Sequence, residues 1–599
     1  MFQDFTSRAT PEHGPARLAA LRASMARAGL AGFFIPRADA HQGEYVADCD
    51  ARLRWLTGFT GSAGFCLALQ GVAGVFVDGR YRVQVKSEVD LSAFTPVNWP
   101  EVKPADWLRA ALPEGGRVGF DPWLHTRREV DELRKALEGS GIDLVESANL
   151  VDAIWQDRPA PPAAPARIHP AEVAGETSAA KRARLGAALA AQGAQAAVLT
   201  LADSVSWLLN IRGGDIPRNP VVQAFAILHA SGRLTLFADP AKFSAELRAH
   251  LGPEVTARPV AALEASLRSL TGPVMLDPAS APHQLGRELE EAGLGVIWAE
   301  DPCIGAKARK NAAEIAGMEA AQARDGAAMV EFLAWFEREA PKGGQSEISL
   351  VRALEGFRRA TNALLDISFD TICGAGPHGA IMHYRVTEDT NRPVAPGELL
   401  VLDSGGQYVD GTTDITRTLL LGPPPEGAAE AYTRVLQGMI AISRARFPRG
   451  VAGRDIDALA RFALWVAGMD FDHGTGHGVG AALCVHEGPA RISRLSEVPL
   501  APGMILSNEP GYYREGAFGI RLENLVLVEE APPLGDGRDQ LALRTLTFVP
   551  LERRLIAVEM LAPAERDWLN AYHAEVLARL GPLVSPEAQD WLRAACAPL

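Results

Sequence analysis

Apolar residues in the first half of the chain alternate between two rhythms, and they run through the same succession twice. RLAALRASMARAG (17–29) repeats its leucines, alanines and methionine at three- and four-residue steps, the period of a helix with one buried face. The short apolar run AGFFIP follows, then RWLTGFTG around Trp55, then the strand-like FCLAL and GVFVDGRY. KRARLGAALAAQG opens a second round, continued by AAVLTL, SWLLNIRGG around Trp207, AFAILH and RLTLFADP, about 150 residues further on. A single recurrence at this distance predicts two duplicated α/β domains and not a solenoid.

Between the rounds lies RPAPPAAPARIHP (158–170), whose prolines fix φ and remove donors, so it reads as an extended linker. A second transition, DPCIGAKARKN (301–311), precedes the long helical pattern AAEIAGMEAAQARDGAAMVEFLAWFERE. Beyond it the chain is richer in glycine and histidine and reads as dominated by strands, closing on LRTLTFVPL and two helical segments around Trp568 and Trp591. The expected division is 1–160, 161–305 and 306–599, with a C-terminal extension from about 540.

Size agrees with several cores, since 599 residues exceed a single domain of roughly 100–200. A net charge of −14 argues against a nucleic-acid binder, which needs a basic face. The six cysteines are scattered without a CxxC pair, as in a reduced, cytoplasmic protein. No apolar stretch reaches the roughly 18 residues of a membrane span, and no signal-peptide pattern opens the chain.

Candidate chemistry is concentrated between 370 and 530. In ELLVLDSGGQYVDGTTDITRTLLL an apolar run ends at Asp403 and a second alternating run contains Asp414, a strand–loop–strand pattern that can bring both carboxylates together. FDHGTGHGVG places His473 and His477 among four glycines, which rule out a helical pair of ligands. Glu509 follows the strand-like MILSN, and Glu523 falls within GIRLENLVLVEE, read as an apolar strand. Taken singly, each is an ordinary turn, surface or core residue. Taken together, four carboxylates and an imidazole in apolar surroundings are costly to bury without cations, and an oxygen-rich set suits paired divalent ions such as Mn²⁺, with Co²⁺, Zn²⁺ or Fe²⁺ as competitors. His383 in GAIMHYR, His473, and His486 in CVHEGP beside Glu487 lie near the set as candidate proton-transfer groups; His378 in GPHGA is the weakest.

The segments HYR, LLVLDSGGQYVDGTTDITRT, HGTGHGVG, HEGP, SNEPGYY and GIRLEN resemble the pita-bread metallopeptidases, which include methionine aminopeptidase, prolidase, aminopeptidase P and the metal-free creatinase. DIPRNPVV and NAYHAEV extend the likeness to the long, three-domain Xaa-Pro aminopeptidase branch. The resemblance implies two creatinase-like α/β domains followed by an α+β pita-bread catalytic domain. It also implies hydrolysis of the bond before a penultimate proline, by a hydroxide bridging two metal ions. Prolidase action on X–Pro dipeptides is the alternative. By that match Asp403 serves one metal, His477 and Glu509 the other, and Asp414 and Glu523 bridge both. Glu509 further assists proton transfer, His383, His473 and His486 are active-site histidines, and Arg521 and Tyr513 support the pocket. A homodimer, with the tail contributing, and peptide substrates complete the expectation.

Overall fold

In the computed structural model, which describes residues 1–535 and 537–599, each N-terminal round becomes a six-stranded mixed sheet. Helix α1 (Gly14–Arg27) leads into β1 (Gly32–Pro36), followed by β2 (Phe65–Leu69), β3 (Ala73–Val77), β4 (Thr95–Asn98), β5 (Gly116–Phe120) and β6 (Ile142–Glu146). Their spatial order is β4-β3-β2-β1-β5-β6. The central three are antiparallel; β4, β5 and β6 join in parallel. Helix α2 (Ser178–Ala191) opens the second sheet: β7 (Ala196–Leu199), β8 (Phe225–His229), β9 (Leu234–Phe237), β10 (Val255–Arg258), β11 (Val274–Leu276) and β12 (Val296–Trp298). Its order, β10-β9-β8-β7-β11-β12, and its strand senses repeat the first. Even the helix stops match. After α1 and α2, Gly29 and Gly193 take φ of 63° and 76°, and Leu30 and Ala194 bond back to Met25 and Leu189. The proline-rich 158–170 carries no regular structure except Arg167–Ile168, which pairs with Ile211–Arg212.

Compactness divides the chain into Arg8–Ala171 with Glu176–Ile304, and Gly305–Leu599 with Met1–Ser7 and Glu172–Gly175. The second unit opens on α3 (Ala312–Glu339), whose start is fixed by a capping box between Asn311 and Glu314. It continues through α4 (Glu347–Ala360), an antiparallel sheet of β13 (Ile372–Ala375), β14 (Glu398–Ser404) and β15 (Ile415–Leu421), and α5 (Ala428–Ser443). Next come β16 (Arg446–Pro448), α6 (Gly453–Trp465), β17 (Gly476–Gly478), β18 (Glu487–Ile492), β19 (Ile505–Asn508), β20 (Gly511–Arg514), β21 (Phe518–Arg521), β22 (Asn524–Ala531) and β23 (Gln540–Thr545). Six of these form a sheet in the order β16-β23-β22-β19-β17-β18, and β20 pairs with β21 alone. Strands dominate this region as the sequence suggests, and α4, α5 and α6 are helices that the pattern did not place. Helix α5 buries most of its circumference, from Ala428 and Tyr432 to Met439 and Ile442, and leaves only the narrow polar row Glu430, Arg434 and Gln437 to mark its period.

One two-stranded ribbon crosses between two sheets. In the six-stranded sheet Asn508 faces Asn524, while in the hairpin Gly511 faces Arg521. Between these pairs the ladder breaks, leaving Glu509-Pro510 opposite Leu522-Glu523. Pro510 has no N–H with which to continue it, though its carbonyl accepts Leu522 N at 3.3 Å.

The tail packs on its own unit. Helices α7 (Pro563–Leu580) and α8 (Pro586–Ala595) bury Leu569, Val576, Leu580 and Leu592 in the same core as β14 and β15. Arg417 of β15, almost fully buried, ties this tail to the sheet. Its guanidinium donates to the carbonyls of Thr416, Glu523, Val549 and Pro550, to Asn524 Oδ1 and to Tyr572 Oη. Among the described residues, no helix is long and apolar enough to cross a membrane. Tyr572→Phe strands buried partners of that hydroxyl and is expected to destabilise the unit by about 1–3 kcal/mol, read by scanning calorimetry as a lower Tm.

Candidate metal centre

The bend of the ribbon aims two glutamates from the same end of the ladder. Glu523, expected inside a strand, lies instead at the break between β21 and β22, where its N–H donates to Thr416 O at 3.1 Å. Glu509 lies at the matching break, its N–H donating to Thr475 O at 2.8 Å. Across from them β14 and β15 pair in antiparallel register, Asp403 opposite Thr416, with Asp414 one residue before β15 begins. His477 occupies the middle of β17, at a bulge against β18. Its glycine neighbours have a steric reason: a Cβ on Gly476 would collide with Ser507 O, and one on Gly478 with Glu487 O.

These side chains converge. Asp414, His477 and Glu523 each offer an atom within 4.8 Å of the others. His477 Nε2 lies 3.5 Å from Asp414 Oδ2 and 3.3 Å from Glu509 Oε1. Its Nδ1 donates to Gly478 O at 2.9 Å, which leaves the Nε2 lone pair facing the carboxylates. Asp403 joins through Arg521, whose Nη2 donates to Asp403 Oδ2 at 2.7 Å. The same guanidinium donates from Nη1 to Tyr513 Oη at 2.8 Å. Tyr513 in turn donates to His473 Nε2 at 2.9 Å, since His473 Nδ1 is committed to Gly474 O. Asp403, Arg521, Tyr513 and His473 therefore form one line. His486 stands nearly perpendicular to His477, ring centres 4.2 Å apart. His383 is half-buried in the segment after the short helix Gly376–Ala380. His378 belongs elsewhere, its Nδ1 donating to the buried Glu347 at 2.9 Å.

Known proteins share both the sequence and this architecture. Residues 17–154 and 157–314 each match the creatinase/prolidase N-terminal domain, 316–530 match metallopeptidase family M24, and 539–599 match the C-terminal region of that peptidase. Aminopeptidase P2 of Arabidopsis thaliana is 39% identical over 94% of this chain and 85% of its own. This chain belongs to metallopeptidase family M24. A probable Xaa-Pro aminopeptidase P of Neosartorya fischeri is 38% identical, over 97% of this chain and 92% of its own. The X-prolyl aminopeptidase of Caenorhabditis elegans, described as a cytosolic enzyme with a di-nuclear active site, superposes with a TM-score of 0.92. It is 35% identical and covers 98% of this chain and 99% of its own. The two creatinase-type domains and the pita-bread domain of the M24 fold are thus those expected, and the enzyme is a metal-dependent peptidase.

The residues present fit a metal. Asp403 Oδ1 and Glu523 Oε1 are buried without a hydrogen-bond partner, while their second oxygens are held by Arg521 and by Thr416 Oγ1. Such orphaned acceptors are costly unless a cation meets them. Burial first, then the neighbouring Glu523, Asp403 and Glu509 charges, hold the Asp414 carboxyl well above its usual range. Glu523 is raised by burial and by Glu509 and Asp403. Burial pushes Glu509 up to about 7, Arg521 pulling it down and Asp403 pushing it up. Composition and spacing do not disclose Thr416 or Ser507. Ser507 Oγ donates to Glu509 Oε1 at 3.0 Å and accepts His477 N–H at 2.9 Å, orienting both at once. The TDITRT motif contained Thr416, but a single hydroxyl in a strand carries no spacing signal.

Because burial and the crowding of like charges raise these carboxyls, Glu509 to about 7, metal loading is expected to release protons. Titrating metal-free protein with Mn²⁺ at pH 7 in buffers of different ionisation enthalpy should show net proton release, and affinity should fall between pH 8 and pH 6. Equal heats in all buffers would contradict this electrostatic picture.

Proposed function

We propose that this enzyme removes the N-terminal residue from peptides whose second residue is proline. Asp403 would serve one divalent ion, His477 with Glu509 a second, and Asp414 and Glu523 would be shared by both. The observation that carries the proposal is the convergence of four carboxylates and one imidazole in a buried site that leaves Asp403 Oδ1 and Glu523 Oε1 without partners. Relatives named as aminopeptidase P, alike over the whole three-part chain, favour this substrate class over X–Pro dipeptides. Mn²⁺ is the proposed native metal, on ligand chemistry. A cytoplasmic location and borders at 1–160, 161–305 and 306–599 belong to the same reading, with a C-terminal extension from about 540.

When bound, the two ions supply Lewis acidity and a water activated as nucleophile. The chain's own groups do the rest. Arg521, anchored to Tyr513, holds Asp403 in place and balances part of the crowded negative charge. The peptide's free amine lies against the carboxylates, which limits each cut to one residue. His383 or His486 donates to the oxyanion that develops on the carbonyl before proline. Glu509 takes the proton given up by the attacking water and delivers it to the leaving proline nitrogen. That nitrogen has no N–H in the substrate, so peptidases that grip the amide donor lose it, and a dedicated site is required. A rigid pocket accepts the trans isomer of the bond.

Mass spectrometry of products from X–Pro–X peptides, beside X–Pro dipeptides, tests the substrate class: release of the first residue from the longer peptides is expected, and cleavage of dipeptides alone would sink it. Glu523→Gln should cost at least about 100-fold in kcat. Chelated enzyme should regain turnover with added Mn²⁺.

The proposed homodimer is supported by an apolar row on α6. Leu459, Phe462, Trp465 and Val466 follow helical spacing and are all exposed, Phe462 by 66% and Val466 by 64%. Arg494 lies over the Trp465 ring, bringing the 85%-exposed Leu495 alongside. An apolar face of this kind on a soluble enzyme is covered by a second copy of the same face. Sedimentation velocity is expected to find a dimer that Phe462→Asp converts to monomer; a monomeric parent protein would refute the contact.

A further inference from the structure

We propose that Lys307, Lys310 and Glu487 form a buried clamp that sets the position of His486 over the metal centre. The inference rests on the active-site role given to His486 above. Glu487 is the first residue of β18 and directly follows His486 in sequence. Its carboxylate is 1% exposed and accepts from two ammonium groups, Lys307 Nζ at 3.2 Å on Oε1 and Lys310 Nζ on Oε2, both as deeply buried. Lys310 is itself held at its backbone, where its N–H donates to Gly503 O at 2.9 Å, and its Nζ also donates to Ala308 O. The Glu487 backbone lies opposite Gly478, next to His477, so the clamp braces the strand pair that carries both imidazoles.

The other side of His486 is tied as well. Leu483 donates to Thr412 Oγ1 at 3.2 Å, and its carbonyl accepts from Gln407 Nε2 at 2.8 Å, on the hairpin between Asp403 and Asp414. His486 is therefore strung between two anchors four residues apart, one on the aspartate hairpin and one on the lysine pair. Burying three charged groups gains little stability over well-packed apolar side chains, so the retained benefit is geometric. These are positioning residues: they act through His486, whose ring stands 4.2 Å from that of His477.

The test separates position from stability. Glu487→Gln keeps the shape of the clamp and removes its charge. The triple variant Lys307→Met, Lys310→Met, Glu487→Leu replaces the clamp by apolar packing, which is the substitution that preserves or raises stability in other buried ion clusters. With metal content unchanged by mass spectrometry, each folded variant is expected to lose on the order of 10–100-fold in kcat on an X–Pro–X peptide, with KM within about twofold. Return of the triple variant to the parent kcat would show that the clamp only stabilises, and would overturn the proposal, as would an unimpaired, folded Glu487→Gln. His486→Ala measured in parallel distinguishes the two levels. An unimpaired His486→Ala removes the role of His486 and the clamp with it, whereas an impaired His486→Ala beside fully active clamp variants removes the clamp alone.

Discussion

Mutual repulsion among carboxylates held out of water is the constraint around which the catalytic unit is built. Burial and the neighbouring carboxylates, Asp403 among them, raise the affinity of Asp414, Glu509 and Glu523 for protons. Among the described residues Arg521 is the guanidinium inserted into this group, its terminal nitrogens donating to Asp403 and Tyr513. The surrounding fold therefore holds, by packing and backbone hydrogen bonds, a charge arrangement that would otherwise push itself apart. A cation would relieve it, and the same repulsion would favour binding one.

The device that enforces this crowding is mechanical. A two-stranded ribbon that changes sheets must break its ladder, and the two glutamates stand at that break, flanked by Asn508 and Asn524 on one side and Gly511 and Arg521 on the other. The paired strands β14 and β15 present the aspartates to it, and the glycine-flanked β17 presents the imidazole. Asp403 is paired on both sides near the end of β14, whereas Asp414, His477, Glu509 and Glu523 sit just before a strand, at a bulge or at the break, where the backbone is free to aim them inward. Catalytic groups at irregularities of a rigid sheet combine fixed position with local freedom of direction.

Parts of this were readable from residue order alone. The duplicated domains were visible because each repeats helix and strand periods in one succession, and the strand–loop–strand around Asp403 and Asp414 because apolar runs stop sharply at glycine. The three-helix content of 347–465 was less legible, because α5 buries most of its circumference and only the narrow row Glu430, Arg434 and Gln437 gives its period polar contrast. The break at Glu523 was misread as strand, since GIRLENLVLV alternates smoothly while the change of sheet is decided by Pro510 across the ribbon. The Lys307–Glu487 and Lys310–Glu487 pairs join positions 180 and 177 apart, and nothing in either local pattern points to the other.

Arg417 makes the end of the polypeptide part of the wall behind the metal centre. Its planar fork gathers carbonyls from β15, from Glu523 and from residues 549–550, and closes on a phenol delivered by α7. A polypeptide ending near residue 540 would leave a cationic group in a dry interior with half its acceptors gone, directly beside the Glu523 backbone. The segment from Val549 to Tyr572 is accordingly no detachable appendage, since it supplies half of the acceptors that satisfy Arg417 beside Glu523.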